Sequence, residues 1–212
     1  MTVDRPLRAD AARNRSSLLA AASEEFAAHG LDASVADIAR RAGIGKGTVF
    51  RHFPTKDDLL AAVVLDRVDD LATLAHHLTT ATDPGAALLE FMEAAAGRQQ
   101  QLDLSFLREA GEVNARLTEA RERLFTAIIA LVTRAQQAGA VRPDIEGMDV
   151  ILLMCAPSHV VSFVPSPPPD LWRRYLSLIF DGLRPEGAHP LPGPAVRDAA
   201  TPVPNSARPG AK

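Results

Sequence analysis

The sequence predicts an all-α protein, and three observations point there. Apolar residues recur at i, i+3, i+4 and i+7 through most of the chain. Alanine and leucine fill much of the 47% hydrophobic fraction while aromatics supply only 5%, a mixture that suits packed helices better than sheets. Glycine or proline closes most of the periodic runs.

The first helix is expected over RADAARNRSSLLAAASEEFAAHG, from Arg8 to the stop at Gly30. Its Leu18, Leu19, Ala22 and Phe26 form one stripe, and Gly30 follows as a left-handed stop. Ser34 reads as an N-cap for a short second helix burying Val35, Ile38, Ala39 and Ala42, with Asp37 favourably placed in its first turn. Gly43-Ile44-Gly45 is a tight break before a third helix, Lys46 to His52. Pro54 ends that helix and Thr55 caps the fourth, which runs from Lys56 to about Thr80. Asp83-Pro84 is an N-cap with proline at N1, opening a helix with Leu88, Phe91, Met92 and Ala95 on its buried side. Residues 97–116 show no clean period. Leu117, Ala120, Leu124, Ile128, Leu131 and Ala135 form a long ladder stopped by Gly139. Asp144 or Glu146 opens an almost wholly apolar helix containing Pro157, where a kink is expected. The PSPPPD segment breaks the chain before a last helix, Asp170 to Leu183. Residues 184–212 hold seven of the 16 prolines and almost no large apolar side chain, so they are expected to be disordered.

Composition excludes several classes. A single cysteine, Cys155, makes neither an internal disulfide nor a cysteine-based zinc cage, and no metal or cofactor is expected. The most apolar run, Val150 to Val164, is interrupted and shorter than the ~20 residues of a membrane-spanning helix. The N-terminus is polar, without the apolar core of a signal peptide, so a soluble cytoplasmic protein with no membrane partner is expected. The net charge of −3 is unevenly spread. Residues 1–56 hold nine Lys/Arg against six Asp/Glu, whereas the remainder is acidic. A basic end on an acidic body points to an anionic partner at that end.

Residues 34–53, SVADIARRAGIGKGTVFRHF, are two short helices joined by a glycine turn, the helix-turn-helix signature. Ile38, Ala39 and Ala42 lean on Ile44, Val49 and Phe53, small Ala39 permits close approach, and the second helix projects its N-terminal residues toward a major groove. With the preceding amphipathic helix and the following TKDDLL, residues 13–65 resemble the DNA-binding domain of the TetR (tetracycline-repressor-like) family of transcriptional regulators. The carrying residues are Leu18-Leu19, Glu25-Phe26, His29-Gly30, Ser34-Val35, Asp37-Ile38-Ala39, Ala42-Gly43-Ile44, Lys46 to Phe50, His52-Phe53 and Lys56 to Leu59.

The resemblance implies a division into a flexible basic arm (1–12), a DNA-binding domain (13–58), a ligand-binding and dimerisation domain (59–183) and a tail. It implies phosphate contacts from Ser34, Thr48, His52 and Lys56 on a double-stranded DNA operator. Ala36, Lys46, Gly47 and Arg51 hold positions facing the bases, where an arginine can grip guanine with two hydrogen bonds. Phe50 stands where the family commonly has tyrosine, so a phenolic bond to phosphate is lost there, while packing on sugar stays open. The arm, with Arg5 and Arg8, and the adjoining Arg13 and Arg15 either add DNA contacts or form a solvated tail. The family further implies a homodimer built from the last two helices, with Ile151, Cys155, Trp172, Tyr175 and Ile179 as candidate interface residues. It also implies a small-molecule effector. Phe91, Met92, Phe106, Phe125, Met154 and His159 are candidate pocket residues, a mostly apolar set suited to a mainly apolar ligand.

Rival readings are an effector-independent DNA-binding or interaction module, and an enzyme. Cys155 and His159, at i, i+4, superficially pair a thiol with a base, but their apolar surroundings would raise a thiol pKa and no orienting carboxylate is at hand. His76 and His77 are adjacent on a helix and point about 100° apart, which suits a solvated face better than a metal site.

Overall fold

The computed structural model describes residues 4–99 and 115–195, with side chains from residue 14 to 97 and from 115 onward. Among these residues the regular structure is helical: α1 (Asp4–His29), α2 (Val35–Arg41), α3 (Lys46–His52), α4 (Lys56–Leu78), α5 (Pro84–Gln99), α6 (Ala115–Gln137), α7 (Gly147–Val161) and α8 (Leu171–Gly182), with one 3₁₀ turn at Gly30–Asp32.

The expected caps form. Ser34 Oγ accepts the Ala36 N–H at 3.1 Å. Thr55 and Asp58 satisfy each other reciprocally, Asp58 N–H donating to Thr55 Oγ1 at 3.0 Å and Thr55 N–H to Asp58 Oδ2 at 3.0 Å. Asp83 Oδ1 accepts the Ala86 N–H at 2.9 Å. Gly43 takes φ +68°, and the Ile44 N–H reaches back to Ala39 O at 3.0 Å, closing α2 in a left-handed stop that only glycine adopts without strain. One boundary differs from expectation. The first helix begins at Asp4, inside the segment read as a flexible arm, because its alanines and arginines are strong helix formers.

The described chain forms two compact units. The first takes residues through Leu74 together with Gly97–Gln99 and Ala115–Leu124; the second takes Ala75–Ala96 and the residues from Phe125. Helices α4, α5 and α6 therefore contribute to both. The core of the first unit gathers Leu18, Leu19, Ala22 and Phe26 of α1, Ile38 and Ala39 of α2, Val49 of α3, Phe53, and Leu59, Leu60 and Val63 of α4. Farther along α4, Val64 and Val68 pack with Leu117 and Ala120 of α6.

In the second unit, Phe91, Leu88 and Met92 of α5, Ile128 and Leu131 of α6, and Leu176 of α8 are fully buried. The close approach of α6 and α7 depends on Gly147, where a Cβ would meet Ile129 Cγ1 at 2.9 Å. Of the residues 184–212 expected to be disordered, 184–191 are anchored to the protein, and 196–212 lie outside the described residues. Arg142, buried in the turn after α6, donates to both Asp144 carboxylate oxygens (2.6 and 2.8 Å) and to the His189 carbonyl at 2.5 Å. Its own N–H donates to Leu183 O at 2.8 Å. Leu183 is buried, and beyond it polar anchors rather than apolar burial hold residues 184–191 to the protein. The Arg142 guanidinium, with a contribution from the Leu191 N–H, keeps the Asp144 carboxyl below its ordinary value.

Candidate nucleic-acid interface

The helix-turn-helix is held by its inner face. Val49 and Phe53 are buried against α1, α2 and α4, so the rest of α3 turns outward: Lys46, Gly47, Phe50, Arg51 and His52 are exposed and Thr48 is half-buried. Ser34 and Ala36, at the start of α2, are also exposed. Lys56, at the start of α4, is half-buried and its ammonium donates to the Leu31 carbonyl, which leaves it at the helix N-terminus expected of a phosphate contact. Arg15 belongs to α1, not to a free arm, and its guanidinium lies 5.0 Å from the centroid of the Phe53 ring.

Charge on this unit is less evenly available than the count of cations implies. Arg40 pairs with Asp37 at 2.7 Å within α2. Arg41 is committed to α1, its Nε donating to Glu25 Oε1 at 2.7 Å and its Nη1 to Glu24 Oε2 at 2.8 Å. The second oxygen of Glu25 meets His29 Nδ1 at 3.1 Å. The hydrogen bond from Arg41 holds the buried Glu25 carboxyl below the usual carboxylate value. Both arginines of α2 are thus spent inside the domain. Lys46 and Arg51, on α3, pair with no carboxylate among the described residues, which leaves them, like Lys56, able to attract phosphate or read a base. Sequence reasoning passed over the Glu25 clamp, although a carboxylate seven residues after Leu18 and three after Ala22 falls on the buried stripe and so requires a partner.

In the second unit the candidate pocket residues separate. Phe91, Met92 and Met154 are buried and Phe125 is half-buried, while Phe106 lies outside the described residues. His159 is a correction: it is exposed, its ring edge-on to Phe163 at 5.3 Å, because it continues the outward row set by Leu152 and Cys155. The candidate interface divides likewise. Cys155 is exposed, and Ile151, Tyr175 and Ile179 are half-buried. Trp172 is a second correction. It is only 7% exposed and belongs to the core of its own chain, on the inward row with Leu176 and Phe180, with the Arg173 guanidinium 4.7 Å from its ring. The outward apolar residues that sequence reasoning omitted are Leu152, Val160, Phe163 and Leu178.

A cleft of about 230 Å³ lies in the first unit, between Ser16, Leu19, Ala20 and Ser23 of α1 and Val63, Asp66, Arg67 and Asp70 of α4. None of the candidate pocket residues lines it. Burial, reinforced by Asp70, pushes the Asp66 carboxyl above its ordinary value.

Comparison with known proteins agrees with this geometry. Residues 18–63 match the family described as bacterial regulatory proteins, tetR family, and residues 83–185 match the C-terminal domain of SbtR-like transcriptional regulators. A TetR transcription regulatory protein from Mycobacterium vanbaalenii is 37% identical, with 84% of this chain and 99% of that one covered and a TM-score of 0.64. An uncharacterized HTH-type transcriptional regulator, Rv2250c of Mycobacterium tuberculosis, is 28% identical over 68% of this chain and 79% of its own length. LfrR of Mycobacterium smegmatis, solved in complex with proflavine, is 22% identical, with 86% and 99% covered and a TM-score of 0.64. No described helix is long and apolar enough to cross a membrane. The chain belongs to the TetR family of bacterial transcriptional regulators, and α1 to α4 carry its helix-turn-helix DNA-binding domain.

Proposed function

We propose that the protein is a dimeric repressor, binding a palindromic operator and released from it by a small, mainly apolar molecule. DNA is read by residues 13–58, and residues 59–183 bind the effector and the second subunit. The observation that carries the dimer is the outer side of the packed pair α7 and α8. Leu152, Cys155 and Val160 of α7, Phe163 two residues beyond it and Leu178 of α8 are all exposed, Phe163 at 75%. Such a concentration of apolar surface is costly in water and characteristic of a contact surface. A second copy of the same chain covers it with its own α7 and α8, giving the two-fold symmetry that a palindrome requires.

The effector reading rests on composition: Phe91, Met92 and Met154 are apolar residues buried in the second unit, the kind that suits a mainly apolar ligand. That LfrR, which shares this fold, was obtained in complex with proflavine supports a small organic ligand. Release is a shift between two conformations, and the effector moves it only by its affinity difference between them, typically ~1–3 kcal/mol.

Sedimentation of the purified chain tests the dimer. Wild type should sediment as a dimer, and Phe163→Glu with Leu178→Glu as a folded monomer whose operator affinity falls at least tenfold. A monomeric wild type with an intact palindromic footprint would defeat the proposal. Effector release is checked in the same binding assay: apolar compounds that raise Tm should free the DNA, and stabilisation by strongly charged metabolites alone would contradict it.

A further inference from the structure

Phe50 is the one exposed large apolar side chain on α3, with 40% of its surface open. Its neighbours explain why part of the ring faces water. Val49, one position back, is buried and takes the inward direction, so Phe50 is turned about 100° away from the core. Gly47, three residues earlier and therefore alongside it on the helix surface, carries no side chain, and a Cβ there would meet nothing within 4 Å. Lys46, four residues earlier, places its ammonium 5.8 Å from the ring centroid. The ring is thus steadied by a cation on one side and left open beside a bare glycine, on the helix that holds Arg51.

We propose that Phe50 is a specificity-determining residue that reads the C5-methyl group of a thymine in the major groove. The inference rests on the reading of α3 as the base-facing helix and adds what that helix recognises. A phenyl ring has no hydrogen bond to offer a phosphate or a base edge. In the major groove the apolar feature available to it is the thymine methyl, which distinguishes T·A from the other pairs. The arrangement divides the labour on α3. Arg51 supplies the polar, bidentate contact, Lys46 supplies charge, and the gap at Gly47 lets the helix approach closely enough for Phe50 to touch a base. Burying one methyl contributes about three- to fivefold in affinity at each half-site.

The test uses the full-length protein and the duplex it recovers from a random double-stranded DNA pool. Each thymine of that duplex is replaced singly by deoxyuridine, which removes only the methyl group. For wild type, one thymine or an adjacent pair in each half-site should lose about three- to fivefold in affinity. Phe50→Ala should bind more weakly overall and be indifferent to the same replacement, with its fold checked by circular dichroism. Wild-type binding that is unchanged at every thymine, or equal methyl sensitivity in Phe50→Ala, would overturn the proposal while leaving α3 as a base reader. Phe50→Tyr provides a second check. If it tightens binding equally to selected and random duplexes, the ring faces a phosphate and the proposal fails. Recovery of no preferred duplex at all would instead remove the base-reading role of α3, and that of Phe50 with it.

Discussion

The helix-turn-helix of the first unit and the α7–α8 pair of the second solve opposite problems with the same kind of helix. In α2 and α3, helices of seven residues bury only two and one side chains respectively, and apart from half-buried Val35 and exposed Phe50 the remaining positions are polar, small or charged. In α7, 15 residues include six buried ones, yet the opposite face is apolar too. The difference teaches where function is written. A surface that meets DNA is specified by a few polar residues at fixed distances from a tight glycine turn. The surface proposed to meet a second copy is specified by apolar residues the chain's own core has no use for.

That contrast governs what was legible in the sequence. The helix-turn-helix was readable because its determinants are local: Ser34 caps within two residues, Gly43 stops a helix within one turn, and Val49 and Phe53 share a face by their spacing. On α7, where nearly every face is apolar, spacing does not say which side points inward, so His159 was assigned inward although it is exposed. On α8 the place of Trp172 follows from a different cause. The resemblance makes Trp172 an interface candidate, while its position with Leu176 and Phe180 on the inward row buries it in its own chain. Long-range polar clamps were invisible for a third reason. Arg41 finds Glu25 across 16 positions and Arg142 finds the His189 carbonyl across 47, and no local pattern encodes either pairing.

The comparison can be broken most forcefully through the two cores. Ile38→Ala, at a fully buried position of α2, should cost about 2–5 kcal/mol and abolish DNA binding along with the cooperative melting of the first unit. Phe91→Ala, equally buried in the second unit, should cost about 3–5 kcal/mol. Thermal melts followed with operator titrations below Tm separate them. Phe91→Ala should still bind operator where it remains folded but should lose effector response. If both variants lost DNA binding at temperatures where they are folded, the division of labour would be wrong.

Acid sharpens the comparison more gently. Each unit holds an arginine–carboxylate clamp, Arg41–Glu25 in the first and Arg142–Asp144 in the second. Both carboxyls are held below their ordinary values of 4.5 and 3.8, chiefly by the hydrogen bond from the arginine. A lowered carboxylate gives stability that is complete above its unfolded value and is lost as pH falls through the folded one. Stability should therefore decline below about pH 4.5. Glu25→Gln should lower stability at neutral pH and flatten that decline, as urea melts from pH 3 to 7 would register. An unchanged acid slope in Glu25→Gln would mean that the clamp contributes nothing.

The most direct measurement is a titration of the full-length protein and of Arg51→Ala onto the DNA upstream of its own gene, with unrelated DNA as control, at two salt concentrations. Wild type should protect a palindrome, and its binding should weaken with salt as several phosphate contacts are screened. Arg51→Ala, folded and equally salt-sensitive, should lose about 1–3 kcal/mol of affinity for the selected site and little for the control. Equal weak binding of both proteins to any DNA, here and to duplexes chosen from a random pool, would contradict the claim that α3 reads an operator.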